Sequence, residues 1–205
     1  MMSGMPSIRD PISRERWERV FIPKRFRGAT FESFVVNKHN QHMFRVVKTW
    51  VESFTRGQHQ GLVLGGTIGT GKTHLMYAMG RELAERGYWP IYKNFASVCI
   101  EMKNAWRDKE SGNHLRETMQ EAEILLLDDL GAEMREKAEQ GWVTEMVYEL
   151  VEARYNKMLP TVIATNLTMA EIASRYTPRV ASRLAEMSVA LWVEGYDYRL
   201  RGRAE

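Results

Sequence analysis

Gly66, Thr67, Ile68, Gly69, Thr70, Gly71, Lys72 and Thr73 read GTIGTGKT, and His74 follows directly. Glycines at this spacing let successive backbone N–H groups curl around phosphate oxygens, and a helix opening just afterwards points its positive end at the same charge. A lysine in the seventh place reaches outer phosphates, and a threonine hydroxyl in the eighth ligates Mg²⁺. Further on, ILLLDD (Ile124 to Asp129) carries two carboxylates on the end of an apolar run. Such a run makes a buried strand whose C-terminal tip lies where open α/β sheets bind ligands. Asp128 is placed to hold the Mg²⁺, directly or through water. Asp129 is placed to orient or deprotonate an attacking water. TVIATN ends a third apolar run on Asn166. Its amide can position a water or a phosphate oxygen without adding charge. The chemistry common to the three stretches is Mg²⁺-assisted attack of water on a nucleoside triphosphate.

These groups converge only if strands and helices alternate, and the pattern provides that. Strands are expected at LVLGG, PIYKNF, EILLLDD, TVIATN and VALWVEG, with helices between them. The helix after the Gly-rich turn shows Leu75, Ala78, Met79 and Leu83 on one face and stops near Gly87. An earlier helix repeats Met43, Val46, Val47, Trp50, Val51 and Phe54 at helical spacing. Another has Val98, Met102, Ala105 and Trp106 inward, then a polar loop at DKESGN and a short helix. A long helix turns Val143, Met146, Val147, Leu150 and Val151 inward. The expected fold is α/β, a five-stranded parallel sheet between helices. Residues 1–40 read as a short basic arm, with Asp10 and Pro11 able to start a helix carrying Trp17, Val20 and Phe21 on one side. Residues 41–205 read as the folded domain.

Apolar residues make up 44% and charged residues 27%, an ordinary globular composition. The net charge of +3 is a mild excess, compatible with an anionic partner or with a solvated basic surface. Cys99 stands alone among apolar neighbours, which excludes an internal disulfide and reads as a small core residue. There is no apolar leader and no membrane-length apolar run, so a cytoplasmic location without membrane contact is expected.

In this order, IPKRFRGATFESF, GTIGTGKTHL, LLLDDLGAE, ARYNKMLPTVIATNLT, RVASRLAEM and GYDYR resemble an AAA+ ATPase. More narrowly they resemble the bacterial replicative-helicase loaders of the DnaC/DnaI group, over roughly residues 22 to 200. The transposition-helper ATPases of the IstB group are similar in GKTHL and in a terminal Tyr-Arg. The resemblance implies ATP and Mg²⁺ as cofactors, with a replicative helicase and single-stranded DNA as partners. It also implies ATP-dependent self-association in a ring or helical assembly. Asn166 becomes sensor 1, Arg183 the arginine finger that reaches a neighbour's ATP, and Arg199 a sensor-2-like arginine. The residues themselves put Arg179 and Arg183 on one exposed face of a helix opened by Pro178, where an Arg183–Glu186 surface pair is the alternative. Loaders of this group end soon after the fifth strand, so no C-terminal helical lid is expected. Full-length loaders grip the helicase through an N-terminal domain. Here that task would fall to the segment around Trp17 to Phe26, or helicase attachment is absent.

Two finer expectations complete the reading. Many AAA+ proteins have Asp-Glu where this chain has Asp128–Asp129. A shorter carboxylate sits farther from the attacking water, and an error near 1 Å can cost ~100-fold in rate. Slow hydrolysis, suited to a timer or switch, is expected, the alternative being a binding module that uses ATP without hydrolysing it. Residues 96–121 form an insertion with Lys103, Arg107, Lys109, His114 and Arg116, and Trp106 nearby. Initiator-type AAA+ proteins contact single-stranded DNA here, which implies phosphate contact by Lys103 and Arg107. Trp106 could stack on bases, or belong to the core through its place on the apolar face.

Overall fold

The computed structural model describes residues 13–105, 109–133, 140–195 and 197–198. The order of elements is α1 (Arg14–Phe21), α2 (Gln41–Ser53), β1 (Gly61–Gly66), α3 (Lys72–Glu85), β2 (Pro90–Asn94), α4 (Phe95–Asn104) and α5 (Lys109–Glu121). It continues with β3 (Ile124–Leu130), α6 (Gln140–Asn156), β4 (Thr161–Thr165), α7 (Met169–Arg175), α8 (Pro178–Met187) and β5 (Ser188–Val193). The strands form one parallel sheet in the order β2-β3-β4-β1-β5. Leu62 to Leu64, Ile124 to Asp128 and Val162 to Thr165 are buried at every position, as in strands covered on both faces. Because β3, β4 and β1 are neighbours, Asp128, Asn166 and the turn after Gly66 emerge side by side at one end of the sheet.

The expected helix faces appear largely as read. Met43, Val47, Trp50, Val51 and Phe54 are buried around α2, and Val143, Met146, Val147, Leu150 and Val151 around α6. Cys99 is buried on α4. The polar stretch expected as a loop is instead helical from Lys109 onward. Leu115 and Met119, one helical turn apart, are buried there, and that tertiary burial outweighs the poor helix propensity of Ser111 and Gly112. Asp108 and Trp106 lie outside the described residues. So do Asp10 and Pro11; α1 is capped by Ser13, which accepts from Arg16 N. Among the described residues no helix is long and apolar enough to cross a membrane.

The segment expected to be a docking arm is packed into the core over its described part. Trp17 is fully buried, and its indole N–H donates to Pro90 O at 2.6 Å. Its ring lies on Gly80 of α3, where an added Cβ would come within 2.1 Å of the indole. Beside it, Arg81 pairs with Glu18 at 3.0 Å and donates to Arg27 O. Ile22, Ala29, Phe31 and Phe34 are buried as well. Val20, expected on the same side as Trp17 and Phe21, is 60% exposed, because α1 meets α3 through Arg14, Trp17 and Glu18. The basic residues of this stretch thus decorate an apolar seam that belongs to the main fold.

Arg154 closes the opposite end of the sheet. It is fully buried, and its guanidinium donates to Thr161 Oγ1 and to the carbonyls of Met119, Ala122 and Pro160 at 2.7–2.9 Å. It ties the end of α5 to the entry of β4. Arg154→Met keeps the length and strands these acceptors, so stability should fall by about 3 kcal/mol, measured by urea unfolding.

Candidate nucleotide-binding site

The turn after β1 is open because little side chain fills it and its backbone takes conformations that side chains disfavour. Gly71, the residue before α3, has φ of 96°, and a Cβ there would sit 2.6 Å from the Phe34 ring. From this point α3 directs its first N–H groups into a groove of about 360 Å³. Ile68 to His74, Asp129 and Asn166 line it, and so do Arg25 and Phe26 from the N-terminal segment.

Lys72 gathers three hydrogen bonds at the base of the groove. Only 7% exposed, it donates through Nζ to Gly66 O, Thr67 O and Asn166 Oδ1, each at 2.8 Å. Two motifs separated by some ninety residues of sequence thereby meet at one ammonium. Phosphate oxygens entering the groove would compete with these acceptors for the same N–H groups.

Asp128 is 1% exposed at the tip of β3. Its Oδ2 accepts from Tyr92 OH at 2.8 Å and its Oδ1 from Asp129 N at 3.0 Å. Burial, and then the Asp129 charge, push its carboxyl up to about 6, while hydrogen bonds from Tyr92, Thr73 and the Asp129 N–H pull the other way. The Thr73 bond joins the two expected metal ligands. They offer two hard oxygens, a set that suits a Mg²⁺ otherwise held by phosphates and water. Such an ion would supply the charge that stabilises an ionised Asp128.

Asp129 has φ of 58°, in the left-handed region, at an irregularity in the β3–β4 pairing between Leu127 and Leu130. The irregularity turns its carboxylate into the groove, where Asn94 Nδ2 donates to Oδ2 at 3.3 Å. Asn and Asp enter this backbone region more readily than other non-glycine residues. An aspartate here therefore has a backbone reason. Asn94 was not apparent from sequence; the available signal was an amide at the end of β2, in register with Asp128.

Glu133 is a second unanticipated residue. It is 4% exposed, accepts from Gly131 N at 2.9 Å, and takes Arg175 Nε and Tyr176 OH at 2.8 and 2.7 Å. The loop leaving Asp129 is thus pinned to α7. Burial, followed by the Glu133 charge, raises the Tyr176 hydroxyl well above its usual range, so it remains a donor.

The remaining expectations are dispersed. The His74 ring turns from the groove to Thr30 O at 2.8 Å and Ser33 Oγ at 3.3 Å, edge-on to Phe34. Arg183 is paired with Glu152, not with Glu186, which accepts from Tyr155 OH. Its side chain is 18% exposed rather than free, and its guanidinium lies 4.3 Å from the centre of the Tyr155 ring. Arg179 approaches the same carboxylate at 3.7 Å. Lys103 sits half-buried in the last turn of α4. Arg107 and Arg199 lie outside the described residues. At the other end of the groove, Tyr198 N donates to Gly69 O at 3.1 Å and Asn37 Nδ2 donates to Tyr198 OH.

A parallel α/β sheet with a Gly-rich turn, a helix opening on Lys72-Thr73, and acidic and amide groups on the two adjacent strand tips defines a P-loop NTPase-type domain. The chain belongs to the family of IstB-like ATP binding proteins, whose model matches residues 15–205. It is 28% identical over 182 residues to the replicative helicase loader DnaI of Bacillus subtilis (strain 168), covering 87% of this chain and 57% of that protein. With the replicative helicase loader DnaC of Escherichia coli (strain K12) it shares 26% over 182 residues, 86% of this chain and 72% of the relative. A crystal structure of the DnaC helicase loader superposes with a TM-score of 0.73 at 24% identity, over 83% of this chain and 99% of that one, which speaks to the fold.

Tyr92 orients the carboxylate expected to hold the metal, and such partners tune metal affinity. Tyr92→Phe should weaken Mg²⁺ at the nucleotide site about 10-fold, read from Mg²⁺ titrations of nucleotide binding.

Proposed function

We propose that this chain binds ATP with Mg²⁺, hydrolyses it slowly, and acts as an ATP-controlled switch in DNA replication. Its proposed partners are a replicative helicase and single-stranded DNA, as for a helicase loader. The observation that carries the reading is the meeting of Lys72 with Asn166, beside Asp128 and Asp129, at the tips of adjacent strands. A cation for the phosphates, a metal ligand, a group to orient water and a neutral amide are the parts that triphosphate hydrolysis requires. The names of the similar helicase loaders support the partners.

Thr73 and Asp128 would hold the Mg²⁺, which when bound neutralises charge on the outer phosphates. Lys72 would exchange its carbonyl partners for phosphate oxygens, and Asn166 would then be released to a water or a phosphate oxygen. Asp129 would orient the attacking water. Beside the phosphate groove, Asn37 to Asn40, Thr70, Val193 and Gly195 line a smaller cavity of about 190 Å³ that suits the nucleoside end. Arg183 would serve a neighbouring subunit, and to do so it must leave Glu152. The IstB family match also favours a second reading, a transposition-helper ATPase that differs in its partner and not in its site.

ATP turnover with and without single-stranded DNA, in wild type, Lys72→Ala and Arg183→Ala, tests the proposal. Slow turnover that responds to DNA should fall on the order of 100-fold or more in both variants. Turnover indifferent to DNA and to Arg183→Ala would leave a lone ATP-binding domain without a loader's mechanism. The proposed DNA contact has its own test: Lys103→Ala with Arg107→Ala should weaken single-stranded DNA binding and flatten its salt dependence.

A further inference from the structure

The phosphate groove has a cationic lining residue that the motifs do not account for. Arg25 lies in the short helical turn Lys24–Phe26, some forty residues ahead of the Gly-rich loop, and lines the groove with Lys72, Thr73, Asp129 and Asn166. It is exposed, and among the described residues no carboxylate or carbonyl accepts from it; its guanidinium lies over the face of Phe26 at 5.6 Å.

Its neighbours show which end of the groove it serves. Phe26 packs on Tyr77 with ring centres 4.9 Å apart, Tyr77 on Tyr92 at 4.6 Å, and Tyr92 donates to Asp128. Tyr77 is one turn along α3 from Thr73. This run of rings places Arg25 on the Thr73–Asp128 side, where the metal and the outermost phosphate belong. The opposite end, lined by Asn37 to Asn40 and Thr70, is the nucleoside side.

The turn is also held in place from both directions. Ahead of it, Trp17 is seated on Gly80; behind it, Arg27 O accepts from Arg81 and Thr30 O is bonded to His74. All three anchoring residues, Gly80, Arg81 and His74, belong to α3, the helix that opens on Lys72. The turn carrying Arg25 is therefore fixed to the same rigid body as the phosphate loop, so its backbone need not move for the side chain to meet a phosphate. A guanidinium is always charged and presents paired donors that match phosphate oxygens.

Resting on the ATP reading above, we propose that Arg25 contacts the terminal phosphate of ATP bound in the same chain. The contact lets the site distinguish ATP from ADP and stabilises the charge that shifts during hydrolysis. It acts within one subunit, in contrast to the role proposed for Arg183.

The test is the Mg²⁺-dependent affinity of the full chain for a non-hydrolysable ATP analogue and for ADP. The proteins are wild type, Arg25→Ala, Arg25→Gln and Arg25→Lys, with Lys72→Ala as the control for the groove itself. Arg25→Ala and Arg25→Gln should each lose about 10- to 100-fold in affinity for the triphosphate and less than about threefold for ADP, with turnover falling at least about tenfold. Arg25→Lys should retain part of the discrimination. Because Arg25 is exposed, urea midpoints should not move. Equal losses for both nucleotides, or undiminished triphosphate binding in Arg25→Ala and Arg25→Gln, would overturn the role of Arg25 while leaving the groove intact. A wild-type chain that binds neither nucleotide, or a Lys72→Ala chain that binds both as wild type does, would overturn the groove and Arg25 together.

Discussion

One helix must satisfy two demands at once. The first turn of α3 has to leave its N–H groups unpaired and facing an open groove, while the rest of the helix has to be held firmly enough to keep them there. The chain meets the second demand by burying α3 along its length. Leu75, Met76, Met79 and Leu83 are almost wholly inaccessible, Trp17 lies against Gly80, and Arg81 is committed to Glu18 and Arg27 O. The N-terminal segment is thus part of the device that immobilises the phosphate site. Its link to the site is direct, because His74, two residues past Lys72, bonds the same segment at Thr30.

Charge in the groove is arranged by the sheet. Two carboxylates in adjacent positions would repel each other and bind water equally if both were free. The fold separates them by environment: Asp128 is buried under Tyr92 and Thr73, and Asp129 is rotated into the groove by its left-handed backbone. Desolvation raises the proton affinity of the buried one, and a cation is the natural remedy for the resulting cost. The same backbone twist bears on why the second residue is aspartate. The shorter side chain can be understood through φ at this position, with its reach toward water following as a consequence.

The arginines show how far residue type underdetermines role. Arg154 and Arg183 stand in similar sequence surroundings, in helices with apolar faces. One is enclosed by carbonyls and fastens the base of the sheet. The other is held by Glu152 against Tyr155 and remains partly exposed. Arg25, in a stretch that reads as basic and solvated, faces the phosphate groove. For Arg154 the acceptors Met119 and Ala122, and for Arg183 the carboxylate of Glu152, come from segments about thirty residues away, and no local pattern announces them.

What the sequence determined by itself was the part of the molecule governed by short-range rules. Strand and helix periodicity, the glycine spacing of the phosphate turn, and apolar runs ending in Asp128 and Asn166 were all legible, because each depends on residues within one element and its flanking turn. The parallel sheet followed from their alternation. Tertiary structure alone decided the remainder: that Lys72 and Asn166 share a hydrogen bond, that Asn94 and Glu133 support the loop at Asp129, and that Trp17 is core. It also turned Lys109 to Asn113 into helix. The physical reason is the same in each case. Burial and hydrogen-bond satisfaction are settled by whatever the folded chain brings alongside a residue, and neither its type nor its neighbours in sequence specify that.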